Sequence, residues 1–409
     1  MWKRLTLLVV SVLVAWVVLE VGLRQFGARV DPAARNEWIG CVGWAGQPHQ
    51  VQKYFTDEFT TTERINSAGL PDVEHTYAKP PNVFRILLVG DSFIEGYQVD
   101  LEESFPRLLE AQLNAGRTAD TPIFEVIKAG YRAWGTDQAW QYYLCEGYRY
   151  QPDLVIYAFT ANDVMDNSLQ LKAQMANWDP ESPPKPYYTL DDDGQLIVHN
   201  FPYPPAPLEM PSRSPRDVLY KHLVSYRIAE KGWQSLHLRL MQQQRAELPA
   251  TEVNRYSRHV IHYTMPAYLE DSPPAYDTAW RLTEALVSAF AADVAEHGAQ
   301  FAIFSNGLPW SVEPAMQREL VIDDPFFDGW RLDWDYPDRR LAEEAEGLSV
   351  PFLALAPGFR DAADVLAEGE SYFFREGHYN RQGHRLATEL LNDWLVGEGL
   401  VQQASAAGD

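Results

Sequence analysis

The sequence predicts a three-layer α/β sandwich around a parallel five-stranded sheet, with a large cap insertion and an apolar helix at the N-terminus. Three observations carry this expectation. Short apolar runs alternate with amphipathic helical stretches, the alternation stops at about Met165 and resumes at about Asp277, and a basic start leads into an uncharged apolar run.

Taken in order, Met1-Trp2-Lys3-Arg4 followed by Leu5 to Leu19 matches the basic and apolar regions of an export signal. Ala15, Gly22, Gly27 and Ala28 each have a large or charged residue two places earlier, so no small-residue cleavage pair stands out. Residues 1–25 are therefore expected to remain as a transmembrane signal anchor; a cleaved signal and a buried helix are the other two readings. At about 1.5 Å per residue, Leu5 to Leu19 covers roughly 22 Å of a hydrocarbon core roughly 30 Å thick. Reaching Leu23 nearly spans it. Lys3 and Arg4 would stay cytoplasmic, which places the rest in the periplasm or at the cell surface.

Residues 26–82 carry few periodic signals and are expected to form a stalk and wrapping segment that ends in Lys79-Pro80-Pro81-Asn82. The main domain is expected over 83–164 and 277–400. Its first half reads as a strand at Phe84 to Val89, a helix at Glu103 to Asn114 and a strand at Phe124 to Lys128. A helix at Thr136 to Tyr148 and a strand at Leu154 to Thr160 follow. The cap insertion, 165–276, is proline-dense between Pro180 and Pro215. Within it, Tyr187 to Leu190 and Gln195 to Val198 flank an Asp-Asp-Asp-Gly turn, a hairpin signal. Leu219 to Leu240 then recurs at helical spacing. From Asp277, a candidate N-cap, a helix runs to Gly298. Strands at Phe301 to Phe304 and Pro351 to Leu355 flank a Trp-rich loop region and a helix at about Asp338 to Glu346. A last helix starts near Gln382.

The balance of 34 Lys and Arg against 57 Asp and Glu leaves a net charge of -23, which opposes docking on phosphate backbones. Nucleic acid is excluded as a partner on that ground. Cys41 and Cys145 allow at most one bridge, and whether they pair is open at this level. No cofactor is expected. His259 and His262 stand three apart without the companion carboxylate of a metal-binding helix.

The strand ends carry the chemistry. Functional groups of open α/β sheets collect at the carboxyl ends of strands, and Ser92 in Gly90-Asp91-Ser92-Phe93 stands at the first of them. A Ser there is also ordinary turn or cap chemistry. After the second strand comes the small-residue loop Lys128 to Thr136, with Gly130, Ala133 and Gly135. Thr160-Ala161-Asn162-Asp163 follows the third strand, where Asx-turn chemistry is the blander alternative. Arg375-Glu376-Gly377-His378 precedes the last helix. Imidazole is the natural proton acceptor for a serine hydroxyl, and Glu376 is placed to orient it. The loop position favours His378 over His384.

Together these four blocks resemble the SGNH/GDSL hydrolase family, in particular membrane-anchored bacterial members. The resemblance runs from about Asn66 to Trp394 and includes Gln151-Pro152-Asp153-Leu154-Val155, with Asn380 and Gly383 after the His. It implies an SGNH-hydrolase or flavodoxin-like fold and a serine esterase with a covalent acyl-enzyme. Ser92 would be the nucleophile and His378 the base. The oxyanion hole would be Ser92, Ala133 and Asn162, with Asp91, Gly130, Gly135 and Asp163 in support. Three departures stand out. Lys128 replaces the family Asn and Ala133 the oxyanion Gly, Thr160 replaces a Gly, and Arg375 and Glu376 occupy the slots where an Asp is usual. Glu376 is the expected acid. Expected substrates are O-acyl esters, on cell-surface or secreted glycans. An O-acyltransferase using the same Ser and His, and a glycan-binding protein without catalysis, are the alternatives.

Overall fold

The computed structural model describes residues 2–25, 41–56, 58–115, 117–118, 121–176, 185–201, 219, 223–226, 228–229, 255–367 and 369–402. The chain divides into two compact units, residues 1–35 with 206–251, and residues 36–205 with 252–409. The expected insertion is thus divided: 206–251 falls in the first unit, and 165–205 with 252–276 in the second.

In the first unit, helix α1 covers Trp2–Gln25. The Glu20 carboxylate accepts the backbone N–H groups of Val224 and Ser225 at 2.8 and 2.9 Å. Among the described residues no helix is long and apolar enough to cross a membrane. In α1 the side chains at 2, 5, 8, 9, 12, 24 and 25 lie outside them, so the transmembrane span expected over residues 1–25 is not borne out among the described residues. The amphipathic helix expected from Leu219 to Leu240 lies almost wholly outside the described residues.

The second unit is built on a five-stranded sheet of β3 (Val83–Gly90), β4 (Ile123–Gly130), β5 (Leu154–Phe159), β8 (Gln300–Ser305) and β9 (Phe352–Ala354), in the order β4-β3-β5-β8-β9. All four pairings are parallel. In β3, Leu87 and Val89 face one apolar core while Ile86 and Leu88 face the other, as period-2 alternation requires when both faces are covered. The first face packs on α4 (Thr136–Cys145) and the helix Pro274–Glu296 through Tyr143, Leu286 and Phe290. The second packs on α3 (Phe105–Asn114) and the C-terminal helix Arg381–Gly397 through Leu109, Leu391 and Leu395.

The chain enters the sheet at β3, crosses to β4 on one side, then returns to β5 on the other. This topological switch opens a crevice at the carboxyl ends of β3 and β5. Hairpin β6 (Tyr187–Leu190) and β7 (Leu196–His199) forms where the Asp-Asp-Asp-Gly turn predicts it.

Three expectations need correction. The helix expected from Asp277 is capped by Pro273 and begins at Pro274, whose ring presets the helical φ. Asp277 lies in its first turn. Similarly, Glu103 belongs to a 3-10 turn, and α3 starts at Phe105 with Pro106 in its first turn. The wrapping segment, finally, contains a hairpin of β1 (Val51–Phe55) and β2 (Thr60–Arg64) that no periodicity announces. Its buried side chains include Gln52, Thr61 and Glu63, so the usual apolar alternation is missing. Cys41 and Cys145 are free.

Candidate active site

Ser92 opens α2 (Ser92–Glu95), a single helical turn directly after β3. Asp91 caps it: Oδ1 accepts the Phe93 N–H at 2.9 Å. Ile94 presses this turn onto the strand ends. A Cβ at Gly130 would lie 2.4 Å from the Ile94 Cβ, and one at Gly90 would lie 2.7 Å from its Cγ1. Both glycines are required by that close approach.

The His378 Nε2 stands 2.7 Å from the Ser92 Oγ, and its Nδ1 stands 2.6 Å from the Glu376 Oε2. With Nδ1–H donating to Glu376, Nε2 is left to accept the serine proton. Residues 286 positions apart are joined here by the fold. Phe374 N–H donates to the His378 carbonyl at 2.8 Å, closing a tight turn in which Gly377 has φ 103°. That left-handed geometry, open to glycine, lets Glu376 and His378 face each other. Burial works against an imidazolium, but the Glu376 carboxylate, with Asp91 and Glu95 further off, outweighs it and raises the His378 pKa above the usual histidine value.

Ala133 lies at φ 62°, left-handed backbone that is unfavourable for a residue with a Cβ. Among the described residues neither the Ser92 nor the Ala133 N–H donates to a protein acceptor. Asn162 Nδ2 donates to Asp166 Oδ2 at 3.0 Å and, over a longer 3.4 Å, to Asp91 Oδ2. Burial raises the Asp91 pKa to about 6. Asp163, buried, accepts the Tyr157 hydroxyl at 2.6 Å and the Thr160 N–H at 3.2 Å, which fixes the turn that presents Asn162. Gly135 precedes α4 as its N-cap, and a Cβ there would lie 2.6 Å from Asn167 Oδ1.

The other candidates separate cleanly. His384 is buried, accepts the Phe105 N–H through Nδ1 at 3.2 Å, and has its pKa pulled down to about 3, so it is a neutral structural group. Burial also lowers the Lys128 pKa, and its backbone N–H binds Asp72 Oδ2 at 2.7 Å. Arg375 N–H faces Glu58 at 3.1 Å. His262 pairs with Asp324 at 3.0 Å.

Sequence reasoning missed four residues beside this site. Glu95 forms a bonded pair with Arg132, and the β1–β2 hairpin supplies Tyr54 and Glu63 to it. The only local signal was the three-residue spacing from Ser92 to Glu95.

No protein-family model and no curated protein sequence matches the chain. Similar solved structures include a protein assigned to the lipolytic G-D-S-L family from Desulfitobacterium hafniense DCB-2. It has 11% identity, covers 76% of this chain and 99% of that one, and has a TM-score of 0.36. A catalytic mutant of an acetylxylan esterase from Geobacillus stearothermophilus has 9% identity, 78% and 96% coverage, and a TM-score of 0.39. An alpha/beta hydrolase from the metagenome of Lake Arreo, Spain, has 10% identity, 80% and 100% coverage, and a TM-score of 0.39. The chemistry of this chain rests on its own residues.

Proposed function

We propose that this protein is a serine ester hydrolase that forms a covalent acyl-enzyme on Ser92. The observation that carries this reading is the continuous chain from Ser92 Oγ through the His378 imidazole to the Glu376 carboxylate. His378 Nε2 takes the Ser92 proton as Oγ attacks the ester carbonyl. The tetrahedral oxyanion is received by the N–H groups of Ser92 and Ala133 and by Asn162 Nδ2, whose long contact to Asp91 is the one that yields. Each such donor is worth about 3–4 kcal/mol to the transition state. His378 returns its proton to the leaving alkoxide, then activates water, and the acid departs.

For substrate, our reading is an O-acyl ester carried on a glycan outside the cell membrane. The location is supported by the export-type N-terminus and by Leu7, Leu13, Val14, Val17 and Val18, each more than half exposed on α1. Such an apolar surface suits a bilayer. In this reading α1 is the anchor and the second unit is extracytoplasmic.

A fluorophosphonate probe on the full chain tests the chemistry. Stoichiometric labelling that disappears in Ser92→Ala, with p-nitrophenyl acetate hydrolysis falling at least about 10³-fold, is expected. Folded wild-type protein that neither labels nor hydrolyses would overturn the assignment. Release of acetate from acetylated xylooligosaccharides in preference to long-chain acyl esters tests the glycan reading; the reverse preference refutes it.

A further inference from the structure

Glu95 is fully buried, lies three residues after Ser92 on α2, and faces the loop that carries Ala133. Its carboxylate holds Arg132 in two ways. Oε1 and Oε2 accept the Arg132 Nε–H at 2.9 and 3.1 Å, and Oε2 also accepts the Arg132 backbone N–H at 3.1 Å. A second donor, Nη2, reaches Oε1 at 2.5 Å. The carboxylate therefore fixes both the side chain and the main chain of the residue directly before Ala133.

On its outer side the guanidinium is caged. The Tyr97, Tyr131 and Tyr54 ring centroids lie 4.7, 5.2 and 5.6 Å from its central carbon, and Nη2 donates to Tyr54 Oη at 2.6 Å. Glu63 Oε2 stands 3.5 Å from Nη2. The β1–β2 hairpin thus closes the pair from the far side.

We propose that Glu95 and Arg132 are positioning residues that lock the oxyanion loop to the helix bearing the nucleophile, a role that rests on the esterase reading above. The physical need is local. Ala133 occupies left-handed backbone that a Cβ disfavours, and such a conformation persists only where its surroundings over-determine it. The two backbone donors assigned to the oxyanion come from different segments, Ser92 on α2 and Ala133 on the loop. Their separation is set by whatever joins those segments. The Glu95 carboxylate joins them through one residue on each side.

The experiment compares Glu95→Gln and Arg132→Lys with wild type in three readouts. The first is kcat and KM on p-nitrophenyl acetate, the second is hydrogen exchange of the hydrogen-bonded Arg132 and Trp134 amides, and the third is the thermal midpoint. Gln keeps the shape but loses the charge, and Lys keeps the charge but loses the fork. Expected is a fall in kcat of about 10- to 100-fold with KM within about 3-fold, since a donor moved by a fraction of an ångström serves the transition state and not the ground state. Exchange of the loop amides should rise at least about 10-fold while sheet amides stay protected. Wild-type kcat and wild-type exchange in both variants would overturn the proposal, as would an equal loss of protection across the sheet. Should Glu95→Gln fail to fold, Arg132→Lys decides. Should wild-type protein hydrolyse no ester, the esterase reading fails and the loop exchange alone decides whether the lock exists.

Discussion

In the proposed mechanism Glu376, two residues before His378, is the acid that orients the base. The Gly377 turn brings the Glu376 side chain round to His378 Nδ1 at 2.6 Å. Its charge holds the imidazole pKa up against burial. The base must be neutral to accept the serine proton. The rate should therefore rise with pH through a midpoint above the ordinary histidine value of about 6.5. In Glu376→Gln the carboxylate is gone while burial remains, so the midpoint of kcat/KM should move down. The rate at its plateau should fall by about 10²- to 10⁴-fold. A pH–rate profile on p-nitrophenyl acetate reads both, and an unmoved midpoint would mean that Glu376 does not face the base in solution.

Among elements, α2 matters most, because it joins strand β3 to the chemistry. Its packing against Gly90 and Gly130 leaves no space for a Cβ. Gly130→Ala should push Ile94, and Ser92 with it, off the strand ends. Overpacking of this kind costs about 1–3 kcal/mol, and kcat should fall at least about 10-fold. Chemical denaturation and steady-state kinetics check the pair of effects; an unchanged kcat would show that the turn tolerates displacement.

The strands were legible because buried parallel strands are continuous apolar runs, as Ile86 to Val89 and Leu154 to Phe159 show. The β1–β2 hairpin was not, because the face it turns inward carries Gln52, Thr61 and Glu63 rather than apolar side chains. Thr61 Oγ1 instead donates to the Tyr97 carbonyl at 2.6 Å. In the same segment His75 lies between Glu125 and Asp72 at 2.6 and 3.0 Å, a polar tie to the edge of the sheet at β4 that no periodic pattern encodes.

For the whole molecule, the sheet unit carries every group of the proposed mechanism and α1 belongs to the other unit. Removing residues 1–25 should abolish carbonate-resistant membrane association while leaving p-nitrophenyl acetate hydrolysis within about 2-fold, because every group of the proposed mechanism lies in the sheet unit. Full-length protein that washes off with carbonate would refute the anchor and leave the chemistry untouched.

The sequence by itself determined the order of the strands of the five-stranded sheet and of the helices between them, and with it the candidate residues Ser92, Asn162 and His378. Those choices rest on local composition and on the rule that chemistry collects where parallel strands end. Only the tertiary structure decided what each residue faces: Glu376 on His378 across a glycine turn, Glu95 on Arg132, and a polar-faced hairpin behind them. These contacts depend on backbone conformation at Ala133 and Gly377 and on partners brought together by the fold, and neither is written in the periodicity of any one segment.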